Sequence, residues 1–222
     1  EEVTIASQTL SLLLIAWNEA ESIGKVIESF EGLYDELIIR VDRKTTDKTY
    51  EIAASYKPDY IEYYDWEDNF SAARNPIIKR ATCDWVIFPD AHEILTPESR
   101  DVIKDFLNQR DKHEGIDLLS PYIHLDVDEF GIPYLIFPRP MLFRNNKGII
   151  FKDAVHNYLD TTEDKKAVPQ QIVLIHNMPE SRKAARTDQR NEMNPAGLQS
   201  VLDDDPKDSR ALFYLGNTYF DL

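Results

Sequence analysis

The stretch that decides the fold is residues 10–33, LSLLLIAWNEAESIGKVIESFEGL. Its first seven residues are apolar except for Ser11, which is typical of a strand buried on both faces of a parallel sheet. The apolar residues Ile23, Val26, Ile27 and Phe30 then follow at the spacing of one helix face. A buried strand followed at once by an amphipathic helix predicts the first half of a βαβ unit.

The same alternation of strand and helix continues outward from this stretch. Strands are predicted at 35–42, 59–66 and 84–91, and helices at 45–56, 69–82 and 96–108. We expect Thr45 or Thr46 to cap the helix at 45–56, and Pro76 to bend the helix at 69–82. The pattern predicts an α/β fold with a mainly parallel sheet, in which ligands bind at the carboxyl ends of the strands.

The pattern changes after about residue 115. Extended segments are predicted at 116–125, 134–145 and 170–177, and DEFGIP at 128–133 is predicted to be a turn. This region is expected to form a hairpin that covers one side of the sheet. Helical periodicity returns after residue 180, so we predict a domain over residues 1–180 and a helical extension over residues 181–222.

Composition narrows the class of protein. The formal charge of −15 and the pI near 4.7 argue against a protein that grips nucleic acid. The longest apolar run, Leu12 to Trp17, is too short to cross a bilayer. We expect a cytoplasmic protein without a membrane span, and peripheral attachment to a membrane is left open.

Polar residues follow each predicted strand of the first half. They are WNE at 17–19, Asp42, DWEDN at 65–69 and DAHE at 90–93. Asp90 and His92 are two residues apart, so their side chains point the same way along an extended chain and suit a divalent cation. The imidazole favours Mn²⁺ over Mg²⁺. The alternative interpretation is an acidic loop that caps the following helix.

Other polar residues admit more than one interpretation. Arg74 suits a pyrophosphate or an ion pair with Asp68 or Asp90. For Asp47 we prefer helix capping to ligand binding. His156 and His176 are isolated histidines, which are more often hydrogen-bonded structural residues than ligands. No glycine-rich nucleotide loop, zinc spacing or nucleophile elbow is present, which excludes those classes of site.

Six segments, taken in order, resemble glycosyltransferase family 2, whose fold is of the GT-A type. The match is closest to the branch of lipopolysaccharide-core β-glucosyltransferases and of glycosyltransferases that carry tetratricopeptide repeats. The segments are LLLIAWNEAESIGKVIES, LIIRVDRKTTDKTYEIA, DWEDNFSAARN, DWVIFPDAHEIL, DAVHNYL and IVLIHN. The end of the chain resembles the start of a tetratricopeptide-like region. The resemblance covers about residues 10–180.

The resemblance implies a UDP-sugar donor and a divalent metal, with Mn²⁺ favoured over Mg²⁺. The implied donor-binding residues are Ala16, Trp17, Asn18, Glu19, Asp42, Asp68, Arg74, Asn75 and Asp90. Asp90 and His92 stand in place of the metal-binding Asp-x-Asp of the family, with His156 as a candidate further ligand. The implied chemistry is inverting transfer, in which a base deprotonates the acceptor and the metal neutralises the departing diphosphate.

The sequence departs from the family pattern at the base and in the second-strand loop. The glutamate that follows the late histidine of the family is Asn157 here, and Arg43-Lys44 replaces a glycine-serine pair. Glu93 and Asp153 remain as candidates for the base. The acceptor is expected to be a saccharide, a lipid-linked molecule or a peptide, and the helical C-terminus is a candidate surface for a protein partner. The alternatives are a nucleotidyltransferase and a non-catalytic sugar-nucleotide or protein-binding module.

Overall fold

A computed structural model describes residues 7–109, 115–127, 132–160, 167–178 and 195–221. In the first half the elements are β1 (Leu10–Ala16), α1 (Ile23–Ser29), β2 (Glu36–Asp42), α2 (Thr49–Ser55), β3 (Tyr60–Tyr64), α3 (Phe70–Ile78), β4 (Trp85–Ile87), β5 (Glu93–Leu95) and α4 (Pro97–Asn108). In the second half they are β6 (Leu118–Val127), β7 (Pro133–Pro138), β8 (Leu142–Arg144), β9 (Phe151–Lys152), β10 (Tyr158–Leu159), β11 (Ala167–His176), α5 (residues 195–204) and α6 (Ser209–Asp221).

One nine-stranded sheet organises the described residues. Its order is β3-β2-β1-β4-β8-β6-β11-β5, with β7 paired to β6. The half built from β3, β2, β1 and β4 is parallel, as predicted. The other half is mixed: β8 is antiparallel to β4 and β6, whereas β11 is parallel to β6 and antiparallel to β5.

The predicted hairpin of the second half exists but lies in a different place from the one we expected. β6 and β7 pair in antiparallel fashion, with Ile123 opposite Phe137. The hairpin does not cover a face of the sheet. Instead, β8 pairs with β4 on one side and with β6 on the other, so the hairpin extends the same sheet. Residues 128–131 of the predicted turn lie outside the described residues.

The core explains why β1 is apolar apart from Ser11. Leu12 and Leu14 pack with α1 on one face of the sheet, and Leu13 packs with Ile77 of α3 on the other. Successive side chains of a strand point to opposite faces, so both faces of β1 are buried. The strand that the sequence marks most strongly is therefore the centre of the parallel half.

The helices of the first half begin much as predicted, with one change at α2. Neither Thr45 nor Thr46 caps this helix. The N-cap residue is Lys48, and no side chain makes a capping hydrogen bond there. Asp47, one residue earlier, accepts a hydrogen bond from the Thr49 amide at 2.9 Å through Oδ1, so it satisfies one amide at the helix start without being the N-cap.

Pro76 lies inside α3 without ending it. Proline has no amide hydrogen to donate to the carbonyl of Ala72 one turn earlier. Arg40 of β2 compensates, because its Nη1 donates to the carbonyl of Ala73 at 2.7 Å and lies 3.5 Å from that of Ala72. The helix therefore continues past the proline to Ile78.

The C-terminal helices have a small core of their own. Leu198, Leu202 and Ala211 pack around Val155, which precedes β10. α5 and α6 confirm the helical prediction for the described part of 181–222, whereas residues 179–194 lie outside the described residues. One helix pair does not show a tetratricopeptide-like repeat. Across the described ranges, no helix is both long and apolar enough to cross a bilayer.

Candidate functional site

Four of the predicted site residues adopt an unusual backbone conformation. Asn18, Asp68, Asp153 and His156 have φ values of 51°, 53°, 68° and 49°. These are four of the six non-glycine residues with positive φ in the described part of the chain. L-residues rarely adopt this conformation, and such strain concentrates at functional sites.

Asp90 is the centre of an ionic cluster. Its Oδ1 accepts a hydrogen bond from Arg74 Nη2 at 2.6 Å, and its Oδ2 accepts one from Arg139 Nη1 at 3.1 Å. Its amide donates to Glu93 Oε2 at 2.9 Å, and Arg139 Nη2 donates to the same oxygen. Two carboxylates and two guanidinium groups give this cluster a formal charge of zero.

Arg139 is a residue of this cluster that the sequence patterns above do not indicate. It lies between Pro138 and Pro140 in the connection from β7 to β8. Burial alone would lower the pKa of Arg139, but Glu93 and Asp90 outweigh burial and raise it, so the side chain stays charged. A charged residue between two prolines in an otherwise apolar segment is the signal that could have identified it.

Arg74 connects this cluster to the loop before β10. Its Nη1 donates to Asn157 Oδ1 at 2.9 Å, and its guanidinium lies 4.8 Å from the ring centre of Phe151. Burial lowers the pKa of Arg74, and Asp90 opposes this effect. Within the described residues, Arg74 Nε and Asn157 Nδ2 are buried donors without a hydrogen-bond partner. Two such donors beside Asp90 suit an anionic acceptor.

His92 points away from this arrangement, into the protein. Its Nδ1 lies 3.0 Å from Glu19 Oε1, and its ring packs edge-on against that of His176 at 4.5 Å between centroids. Ser22 Oγ donates to the other Glu19 oxygen at 2.5 Å. His176 Nδ1 in turn lies 3.8 Å from Glu93 Oε1. His92 and Glu19 therefore form a buried layer behind the ionic cluster.

The predicted metal ligands Asp90, His92 and His156 are not assembled around one point. Among the residues that the structure describes, no group of three or more His, Cys, Asp or Glu side chains could hold a metal ion. The physical reasons are the contact of His92 with Glu19 and the stacking of His156 on Tyr214 at 4.0 Å.

Asp90 alone still fits a cation. A carboxylate oxygen has two lone pairs, so contact with a guanidinium does not by itself exclude contact with a cation. Mg²⁺ and related cations are commonly held by one or two carboxylates together with substrate phosphates and water. A cation shared between Asp90 and the phosphates of a donor is therefore compatible with these residues, whereas a cation that requires His92 and His156 is not.

The remaining predicted donor-binding residues shape the turns around the site. Asn18 Oδ1 accepts a hydrogen bond from the Thr46 amide at 2.8 Å, which joins the turn after β1 to the turn after β2. Asp42 Oδ1 accepts one from the Lys44 amide at 2.9 Å, and Asp68 Oδ1 accepts one from Trp66 Nε1 at 2.8 Å.

The other three of these residues differ in their surroundings. Ala16 is buried at the end of β1, Trp17 follows it, and Asn75 bonds the backbone of Phe151 through both its amide atoms. Asn75 thus holds β9 against α3.

The two candidate bases occupy different environments. Glu93 is 0% exposed and is held by Arg139 and the Asp90 amide, so it serves here to position the cluster. Asp153 is more accessible. Burial raises the pKa of Asp153, Arg210 lowers it, and Asp208 raises it, with a net rise. A raised pKa is one property of a general base, so of the two candidates Asp153 is the one that we carry forward as a proposal.

The Asp153→Asn variant tests the raised pKa of Asp153 through its effect on the free energy of unfolding. Asparagine tolerates positive φ, so the turn is kept. A raised pKa in the folded state means that ionised Asp153 disfavours folding above the ordinary carboxyl pKa. The variant should therefore unfold at a higher urea concentration than wild type at pH 7, and the difference should disappear as the pH falls below about 4. A difference that is the same at both pH values would contradict the raised pKa.

Comparisons with known proteins give a family match. Residues 11–153 match the model of the family described as glycosyl transferase family 2. Over 149 residues the chain is 31% identical to the SPbeta prophage-derived glycosyltransferase SunS of Bacillus subtilis (strain 168). The aligned region covers 67% of this chain and 34% of SunS. The chain thus spans about a third of the length of the curated relatives it matches.

Two solved structures have a similar fold. One is the mannosyltransferase PcManGT from Pyrobaculum calidifontis in complex with GDP-Man and Mn²⁺, with a TM-score of 0.56, 13% identity, and coverage of 97% of this chain and 70% of that chain. The other is S. aureus TarS 1-349 in complex with UDP-GlcNAc, with a TM-score of 0.51, 15% identity, and coverage of 95% and 71%. At these identities the likeness confirms the predicted fold class.

Proposed function

This chain belongs to glycosyl transferase family 2, and from that membership we propose that it transfers a sugar from a UDP-sugar donor to a saccharide, lipid-linked or peptide acceptor. In the proposed reaction an acceptor atom attacks the anomeric carbon from the side opposite the diphosphate. The bond from that carbon to the diphosphate oxygen breaks, and the acceptor proton passes to a carboxylate, for which we propose Asp153. The configuration of the anomeric carbon is inverted.

One observation carries the proposal. Arg74 Nε and Asn157 Nδ2 are buried donors without a partner among the described residues. Arg74 bonds both Asp90 and Asn157, so the two donors lie on side chains that are in contact with each other. A buried donor without an acceptor is costly, so such atoms mark the place where a ligand supplies oxygens. Diphosphate oxygens are acceptors of this kind, and guanidinium groups bind them well.

Charge supports a divalent cation as part of the donor complex. The cluster of Asp90, Glu93, Arg74 and Arg139 has a formal charge of zero, from two negative and two positive groups. It therefore offers no net positive charge to a diphosphate. A bound cation would neutralise charge on the departing diphosphate, and Asp90 is the residue that we propose holds it. Mn²⁺ is the first metal to test, because PcManGT was solved with it.

A binding titration tests the proposal. UDP should bind with a dissociation constant of about 10–500 μM in the presence of Mn²⁺, and EDTA should weaken binding about tenfold. GDP is the matched control, and it should bind more weakly because the predicted base pocket is for uridine. Hydrolysis of UDP-glucose and of UDP-GlcNAc then separates an enzyme from a binding module. Absence of saturable UDP binding, both in Mn²⁺ and in EDTA, would overturn the proposal. UDP binding without hydrolysis or transfer of the sugar would favour the non-catalytic alternative.

A further inference from the structure

The loop over residues 153–157 contacts two parts of the molecule. We name it the 153–157 turn. On one side it contacts α3: the amide of Phe70 donates to the Ala154 carbonyl at 2.8 Å, and Ser71 Oγ donates to the Asp153 carbonyl at 2.6 Å. Arg74 Nη1 adds the contact with Asn157 Oδ1 at 2.9 Å. The turn is therefore fixed to the helix that carries Arg74.

On its other side the turn contacts the C-terminal helices. The ring of His156 stacks on that of Tyr214, with centroids 4.0 Å apart and planes 9° from parallel. Arg210 Nη2 donates to the His156 carbonyl at 2.7 Å, and Val155 is buried among side chains of α5 and α6. All of these contacts join α5 and α6 to a segment that is only one side chain away from Asp90.

The backbone of the turn needs such support. Asp153 and His156 both have positive φ, at 68° and 49°. Each such residue costs about 1 kcal/mol or more, and persists only where surrounding contacts impose it. The contacts of His156 with Tyr214 and Arg210 are on the residue itself, so they act directly on this conformation.

We propose that α5 and α6 hold the 153–157 turn in its strained conformation and thereby position Asn157 and Arg74 for the donor. Tyr214 and Arg210 are then positioning residues of the site. The C-terminal helices thus contribute to donor binding by the glycosyltransferase domain. The chain of contacts runs from Tyr214 through His156 and Asn157 to Arg74 and Asp90. This inference rests on the proposed donor site.

Two glycines provide a matched pair of variants. A Cβ atom at Gly197 in α5 would lie 2.9 Å from Val155 Cγ2, closer than such atoms approach, and 3.1 Å from Cγ1, which is tighter than most such contacts. A Cβ atom at Gly216 in α6 would meet no atom within 4 Å. Alanine favours a helix over glycine at both positions. Gly197→Ala should therefore displace the turn from α5, whereas Gly216→Ala should leave it in place.

Hydrogen exchange and UDP binding measure the effect separately. We expect Gly197→Ala and Tyr214→Ala to speed amide exchange about tenfold over residues 150–158 and 70–75, and to weaken UDP binding in Mn²⁺ about fivefold. Gly216→Ala and Tyr214→Phe should match wild type within twofold, because the phenyl ring keeps the stack on His156. If Tyr214→Ala does not fold, Gly197→Ala decides alone.

Several outcomes would overturn the inference. Exchange that is unchanged over residues 150–158 would show that the helices do not hold the turn. Faster exchange there with unchanged exchange over 70–75, or with unchanged UDP affinity, would show that the turn does not act on Arg74. The exchange measurement needs no ligand. If wild type itself fails to bind UDP, the proposed function fails, and exchange over residues 70–75 still decides whether the helices are coupled to Arg74.

Discussion

Asp90→Ala should abolish the gain in UDP affinity that Mn²⁺ provides. In wild type the cation and the donor diphosphate are expected to meet at Asp90, which is also bonded to Arg74 and Arg139. Without Asp90 the cation loses its protein ligand, so hydrolysis of the donor should fall by about 100-fold or more. The measurement is a UDP titration in Mn²⁺ and in EDTA, followed by a hydrolysis assay.

The same variant should behave differently in EDTA. Removal of Asp90 changes the formal charge of the cluster from zero to +1, because Glu93, Arg74 and Arg139 remain. A more positive site attracts the anionic diphosphate, so UDP should bind in EDTA as tightly as to wild type or more tightly. This combination separates loss of a metal ligand from simple misfolding, which would weaken binding under both conditions.

Asp117→Ala is the matched control for this experiment. Asp117 is also a partly buried acid that pairs with an arginine, since its Oδ1 lies 3.5 Å from Arg144 Nε. Asp117 lies near the amino end of β4, because its partner Arg144 is opposite Trp85, the first residue of that strand. Asp90, in contrast, follows the carboxyl end of β4. The control should keep the Mn²⁺ gain. A preserved Mn²⁺ gain in Asp90→Ala would move the cation away from Asp90.

The part of the site that the sequence predicts well is local in the chain. Asp90 and Arg74 are 16 residues apart and belong to consecutive α and β elements, so alternation of strand and helix is enough to bring them to one edge of the sheet. The strand at β1 and the helix at α4 are likewise marked by periodicity and by residues such as Pro97 at the helix start.

The part that the sequence does not predict depends on distant contacts. Arg139 reaches Glu93 only because β8 pairs with β4, and an apolar hairpin does not reveal in advance whether it covers a sheet or extends it. β5 is three residues long and exists through its pairing with β11. His92 has the spacing of a ligand, but the buried carboxylate of Glu19, 73 residues away, determines where it points. Spacing alone could not supply that partner.

Arg139→Met should cause the largest loss of stability among the substitutions considered. Glu93 is 0% exposed, and Arg139 is its closest cationic partner. His176 is farther away, with its Nδ1 3.8 Å from Oε1. Removal of one member of a buried ion pair leaves an uncompensated charge, which typically costs about 3–5 kcal/mol. We expect a decrease of this size in the free energy of unfolding, measured by urea denaturation at pH 7.

A double variant identifies the cause of this loss. Glu93→Gln combined with Arg139→Met removes both charges, so it should recover most of the stability that Arg139→Met loses, because the two residues are in contact and their effects are not additive. The exposed pair of Arg43 and Asp65, at 59% and 75% side-chain exposure, is the control. Arg43→Met should leave stability unchanged, since solvent screens such pairs. If the double variant is no more stable than Arg139→Met, then Arg139 stabilises the fold through its packing rather than by compensating Glu93.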